Sequence, residues 1–363
     1  MNRFLIFILL LAAVSGFSAG PAAAEINILA AGDTCFANTL ETIGKSRGYD
    51  YFFDGIKAHS QRADISFLNL ETCVSKRGHP LPKKFTFRSD PGAVKALKRA
   101  GFSVVSVANN HSYDYGKDAF LDTLFYLEKA GVLSAGGGRN EVEAFSPALI
   151  NIGSRKIAFF AFTDVLPSGF AAIGGKPGVA SAKNHSRVIE TVRSWSQKAD
   201  LTIVSLHWGK ELSYYPQKRQ VELAHRLIDA GVDIIFGHHP HVVQPVEIYK
   251  GKPVFYSLGN FIFSPGNESG RYSMIALVHV DYLGRPCTLT IIPVIITAGQ
   301  PRIAGKSWMI QLHELVNKMG AVFALKDGYL IREIYRPVGK DFRPVIYFEK
   351  NYFGQKSLDR EYL

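Results

Sequence analysis

The stretch Gly231–Phe263, GVDIIFGHHPHVVQPVEIYKGKPVFYSLGNFIF, sets the apolar run Ile234-Ile235-Phe236 directly before Gly237-His238-His239-Pro240-His241. Three of the chain's eleven histidines fall within this one motif. A short β-branched run closed by Gly and Pro reads as a buried strand. Its carboxyl end then presents imidazoles, at the edge where open α/β sheets gather ligands. Two accounts fit: a metal site, or polar residues in an ordinary turn.

The rest of the chain repeats the pattern. Ile26–Ala31, Ile65–Leu70, Ser103–Ala108, Lys156–Thr163, Leu201–Leu206 and Val232–Phe236 read as strands. Between them Asp90–Ala100, Lys117–Ala130, Ser186–Gln197 and Gln217–Ala230 carry helical spacing. Strands alternating with helices mean crossover units around buried sheets, an α/β fold. From about Pro245 strand follows strand, separated by turn residues such as Lys250-Gly251, which predicts antiparallel strands completing a second sheet. The run Leu289–Ala298 is β-branched, contains Pro293 and is too short to span a bilayer, so it joins that set. The domain is expected to occupy residues 25–300, and 301–363 to form an extension with one helix, Trp308–Lys318.

Each of five strands ends in side chains that suit a metal. LAAGDTC supplies Asp33, and FLNLETC supplies Asn69 and Glu71. VSVANNHSYDYG supplies Asn109, Asn110, His111 and Asp114, and VSLHWGKE supplies His207 and Glu211. The opening stretch adds its histidines. Taken singly, Asp33 and Asn109 also suit helix caps, and His207 suits a hydrogen-bonded core position. Five independent caps would not choose carboxylate, carboxylate, amide with imidazole, imidazole and paired imidazoles. Mixed oxygen and imidazole donors suit Mn, Fe or Zn rather than calcium. They exceed the needs of one tetrahedral ion, so two ions bridged by a carboxylate are expected.

The order Asp, carboxylate, Asn-His, His, His-x-His is similar to that of the calcineurin-like metallophosphoesterases. GD, NLE, NNHSYDYG, HWGKE, GHHPH and YSLGNF together resemble the CapA-type capsule proteins associated with poly-γ-glutamate biosynthesis, over about Ile26 to Phe263. The resemblance implies a four-layer αββα sandwich of two mixed sheets. It implies that Asp33 and His241 hold one divalent ion, that Asn110, His207 and His239 hold the other, and that Glu71 bridges, with His238 a neighbour. Asp33-Thr34-Cys35 lacks the imidazole of the wider Asp-x-His motif, which weakens the first position, and Asn69-Leu70-Glu71 replaces Gly-Asp-x-x-Asp. The implied partners are an anionic polymer or phosphoester substrate and the proteins of capsule synthesis and export.

With both ions present, a bridging water becomes a hydroxide near neutral pH and attacks phosphorus in line. His111 is then the general acid, oriented by Asp114. Arg88 in KKFTFRSDP is the candidate anion clamp, with Glu211 also placed against substrate, while Lys83 and Lys84 read as solvated charges. Trp208 and Tyr215 read as core packing more readily than as cleft walls. Attack on an amide, making a γ-glutamyl amidohydrolase, or no reaction at all in a protein that only holds the polymer, fits the same residues. Equal offsets of Cys35 and Cys73 behind their strand ends predict a disulfide, with Cys287 free and metal ligation by Cys35 as the rival.

With 42 basic and 31 acidic side chains the formal charge is +11, scattered without a tail or stripe. That balance suits an anionic substrate and argues against nucleic acid. Arg3, the apolar Phe4–Phe17 and Ala22-Ala23-Ala24 make residues 1–24 a secretory signal. The mature protein is expected in the periplasm or secreted, with membrane contact only through an uncleaved signal. Its first residue should be Glu25; N-terminal sequencing of exported protein checks this, and a chain starting at Met1 would mean a retained anchor.

Overall fold

Side chains along the first strand, Ile26–Thr34, alternate between two cores. Ile26, Ile28 and Ala30 enter one, and Leu29 and Ala31 enter another. The period of two is what a strand buried on both faces requires. A computed structural model describes residues 25–335. The expected signal and the chain beyond 335 lie outside the described residues.

Two mixed sheets dominate the fold. In the larger one, Ile26–Thr34, Ile65–Leu70, Val104–Ser106 and Leu133–Ala135 run parallel in that order. On its other side Tyr272–Val280 pairs antiparallel with Ile26–Thr34, and Pro286–Thr297 pairs with Tyr272–Val280. The six-stranded sheet has Arg155–Thr163, Leu201–His207, Ile234–His238 and Lys252–Phe255 parallel. The hairpin partners Ala148–Ile152 and Val246–Tyr249 form its two edges.

One core lies between the sheets, where Ile28, Phe67 and Val104 meet Phe159, Ile203 and Phe236. A second covers the outer face of the large sheet with helices Gly92–Arg99 and Gly116–Ala130. The third covers the small sheet with His185–Ser196 and Lys218–Asp229. In Lys218–Asp229 the buried Leu223, Ala224, Leu227 and Ile228 recur at helical spacing, which turns one face inward. Helices, sheet, sheet, helices therefore succeed one another across the three cores.

Two expectations change. The strands after Pro245 do not build one sheet: Val246–Tyr249 and Lys252–Phe255 close the small sheet, while Tyr272–Val280 and Pro286–Thr297 return to the large one. Residue 300 is also no boundary. Gln300–Ile303 and Tyr329–Glu333 both pair with Pro286–Thr297, and Leu312 and Val316 of helix Lys306–Val316 enter the core between the sheets. Pairing across distant sequence was invisible to local pattern.

Phe67 is the central clasp of that core, with its ring centroid 4.7 Å from Phe159 and 5.9 Å from Phe236. Phe67→Ala should cost about 3–5 kcal/mol, the usual range for emptying a buried aromatic site. Urea unfolding followed by tryptophan fluorescence measures it.

Candidate metal centre

The carboxyl ends of the parallel strands in both sheets open on one place. Asp33 lies inside its strand, paired with Asn69 on one side and Asn260 on the other. Gly32 makes this possible: a Cβ there would stand 2.0 Å from the Gly259 carbonyl oxygen. His207 and His238 are the last residues of adjacent strands and lie in register. Beyond them the backbone of His239 (φ 93°) and His241 (φ 58°) is left-handed on either side of Pro240. Such non-glycine conformations cost about 1–3 kcal/mol each and persist where the surroundings enforce them.

Fully buried Asp33 accepts hydrogen bonds from Asn69 Nδ2 at 2.8 Å and from the His239 backbone N–H at 3.1 Å. His238 Nδ1 and His241 Nδ1 stand 3.3 and 3.4 Å from its oxygens. His207 Nε2 is 3.6 Å and His241 Nε2 3.7 Å from Glu71 Oε1. The Asn110 side-chain oxygen lies 2.7 Å from His207 Nε2. Three donor sets result: Glu71 with His207 and His239, Asp33 with Glu71 and His241, and Glu211 with His239 and His241. The first two share Glu71. His238 belongs to none among the described residues; it lies behind Asp33, edge-on to Phe67.

Charge and burial conflict here. Burial alone would raise the Asp33 carboxyl, yet the His238 contact and the charges of His238 and His241 hold it well below the ordinary range. Burial, then the Asp33 and Glu211 charges, push Glu71 well above its ordinary value. Burial, then the His239 charge, push His207 far down, and burial with His241 takes His239 to about 3. Both imidazoles are thus neutral at pH 7, the form that ligates metals. Neither Glu71 oxygen has a hydrogen-bond partner, and His239 Nδ1 has none. A buried carboxylate without partners is costly, and a divalent cation is the group that removes that cost. Imidazole, carboxylate and amide oxygen together fit Mn, Fe or Zn.

Beside the centre, His111 Nδ1 lies 2.6 Å from Asp114 Oδ2. Asp114 also accepts the Phe87 N–H at 2.7 Å and the Lys83 ammonium. Burial leads in lowering the His111 pKa, against the pull of Asp114. Next to this, a pocket of about 500 Å³ is lined by Asn110, His239, Lys210, Glu211 and Arg219.

Several expectations do not hold. The disulfide is not formed, and Cys35, Cys73 and Cys287 are free thiols. Asp33 is opposite Asn69, and the Glu71 N–H bonds Thr34 O, so Cys35 is level with Glu71 rather than Cys73. Cys73 instead donates to Phe87 O at 3.1 Å, with its thiol pushed up to about 12 by burial. Cys35 enters no donor set among the described residues. Arg88 is not in the pocket: its guanidinium bonds the Arg77 and Gly78 carbonyls and stacks 4.4 Å over Tyr115. Lys83, read as a solvated charge, is mostly buried and holds both Asp114 and the Asn110 carbonyl, the latter at 2.6 Å. Trp208 is fully buried and bonds Tyr256 O, while Tyr215 is exposed. Arg219 was missed, as was Asn260, whose Oδ1 is 2.8 Å from His241 Nδ1. YSLGNF carried the signal for Asn260.

The fold and the site define a layered α/β protein whose strand ends gather metal-compatible donors in one place. The chain belongs to the family described as "Bacterial capsule synthesis protein PGA_cap", whose sequence pattern matches residues 27–265. It is 32% identical over 309 residues to the PGA biosynthesis protein CapA of Bacillus subtilis, covering 84% of this chain and 81% of that one. It is 32% identical over 285 residues to the capsule biosynthesis protein CapA of Bacillus anthracis, covering 77% and 69%. Among solved structures, the NAD nucleotidase of Haemophilus influenzae superposes with a TM-score of 0.45 at 11% identity, over 81% of this chain and 56% of that one.

Because the fold favours neutral Glu71, its contribution turns against stability above the ordinary glutamate pKa, where the unfolded chain ionises first. In metal-free protein at pH 7, Glu71→Gln should therefore stabilise by about 1–3 kcal/mol. The gain should fade toward pH 4. With saturating Mn²⁺ the order should reverse, the parent gaining more. Urea unfolding with and without chelator checks all three.

Proposed function

We propose that this protein is an exported, metal-dependent hydrolase acting on an anionic capsule or envelope substrate, with a phosphoester as the bond cleaved. The observation that carries the reading is the buried His111–Asp114 pair at 2.6 Å beside the donor sets. Asp33, Glu71, Asn110, His207, His239 and His241 would hold one or two divalent ions. An ion bound there would supply Lewis acidity toward water and the scissile bond.

The protein's own groups do the rest. Asp114 fixes the orientation of His111 through Nδ1 and pulls against burial toward the imidazolium, the form in which Nε2 carries a proton for the departing oxygen. Lys83 and the Phe87 N–H hold the Asp114 carboxylate still. Lys210 and Arg219 on the pocket wall suit phosphate or carboxylate on the substrate. Export rests on residues 1–24, and the link to capsule synthesis rests on the family and the names of its relatives.

A second reading keeps the pocket and drops the reaction: the protein holds an anionic polymer during assembly or export. Its support is Lys210 and Arg219 on the pocket wall, the latter also paired with Asp164 at 3.2 Å, together with the family's tie to capsule synthesis. Cleavage of a γ-glutamyl amide would use the same residues.

His207→Ala and His239→Ala should each lower metal content, measured by elemental analysis of purified protein, while His238→Ala keeps most of it. His111→Ala should retain metal and lose about 10²–10⁴-fold in turnover of a generic phosphodiester, the usual size of a general-acid contribution. An established turnover that His111→Ala leaves untouched would remove the hydrolytic role and favour polymer binding.

A further inference from the structure

Glu211 stands apart from the other carboxylates at the centre. Asp33 and Glu71 are fully buried on strand ends, whereas Glu211 is exposed on the loop between strand Leu201–His207 and helix Lys218–Asp229. Yet its carboxylate and one nitrogen each of His239 and His241 all lie within 4.8 Å of one another. The loop is built to bring it there. Leu212 N–H bonds Pro240 O at 2.8 Å, tying the loop to the histidine motif, and Leu212 is left-handed at φ 59°. His239 is 4% exposed, its Nδ1 has no partner, and its side chain lines the same pocket as Glu211.

We propose that Glu211 is an exchangeable ligand on the solvent side of the metal centre, occupying the place that a carboxylate or phosphate oxygen of the substrate takes. The proposal rests on the metal centre described above. The set of Glu211, His239 and His241 shares both imidazoles with the inner sets, so it cannot fill independently of them. Glu211 therefore completes the coordination of an ion already held by the buried donors. Being exposed, it keeps access to water and can leave at low cost, which buried Asp33 and Glu71 cannot do. Lys210 and Arg219 line the same pocket and would receive the rest of an incoming anion. Until then Glu211 is an internal anion in the substrate's position.

The test is Mn²⁺ titration by calorimetry on the parent, Glu211→Gln and Glu71→Gln, followed by titration of inorganic phosphate into each Mn²⁺-loaded protein. Glu211→Gln, an exposed loop change of equal size, should weaken Mn²⁺ binding about 10-fold, the scale on which peripheral partners of a metal act, without changing the number of ions bound. It should bind phosphate more tightly than the parent, because no internal carboxylate competes. Unchanged Mn²⁺ affinity, or phosphate binding no tighter than in the parent, overturns the proposal. A parent that takes up no Mn²⁺ overturns the metal centre itself. Loss of Mn²⁺ by Glu71→Gln alone keeps the centre and removes only the role of Glu211.

Discussion

Asp33 is the point at which the two sheets are tied together. Its backbone belongs to the large sheet, flanked by Asn69 and Asn260, while its carboxylate accepts the N–H of His239 from beyond the small sheet. A carboxylate buried this far needs several donors or positive neighbours to remain charged. Asn69 and the His239 amide donate to it, and His238 and His241 stand 3.3 and 3.4 Å from its oxygens. The same contacts fix where every other donor stands. Glu71 follows Asn69 by two residues, and His239 and His241 are held in left-handed backbone around the amide that Asp33 binds. Fold and site are one construction here.

Layered around Asp33 are neutral groups whose task is orientation. Asn109 bonds Asn69, Asn69 reaches both Asp33 and His207, and Asn260 sits on His241. Outer partners of this kind set ring orientation and tautomer in metal sites. Glu71 is the exception, since nothing bonds it.

Much of this was legible in the sequence because the chemistry lies at strand ends, and strands announce themselves as short β-branched runs. Strand ends put Asp33, Glu71, Asn110, His207, His239 and His241 among the candidates, and the family resemblance singled them out from Asn69, Asn109, His111, Asp114, Glu211 and His238. What stayed illegible depends on register and on contacts between distant segments. The pairing of Asp33 with Asn69 rather than Glu71 moved Cys35 away from Cys73. Lys83 and Arg88 lie five residues apart, and no local pattern says which turns inward to Asp114 and which stacks on Tyr115. Residues 300–333 gave little periodicity because their strands are short and lie at the edge of the sheet, where one side chain row faces water.

The return of the chain to the large sheet bears on how this family's members can be divided for expression. The family pattern stops at residue 265, but Tyr272–Val280 covers one side of Ile26–Thr34, and Pro286–Thr297 is covered in turn by Tyr329–Glu333. A fragment cut at the end of the pattern would leave the central strand, the one that carries Asp33, with a row of unpaired N–H and C=O groups. Open edges of that length recruit other chains. The last strands of the described fold thus act as a guard against self-association, and the smallest soluble unit is set by sheet closure rather than by the span of the recognisable motifs.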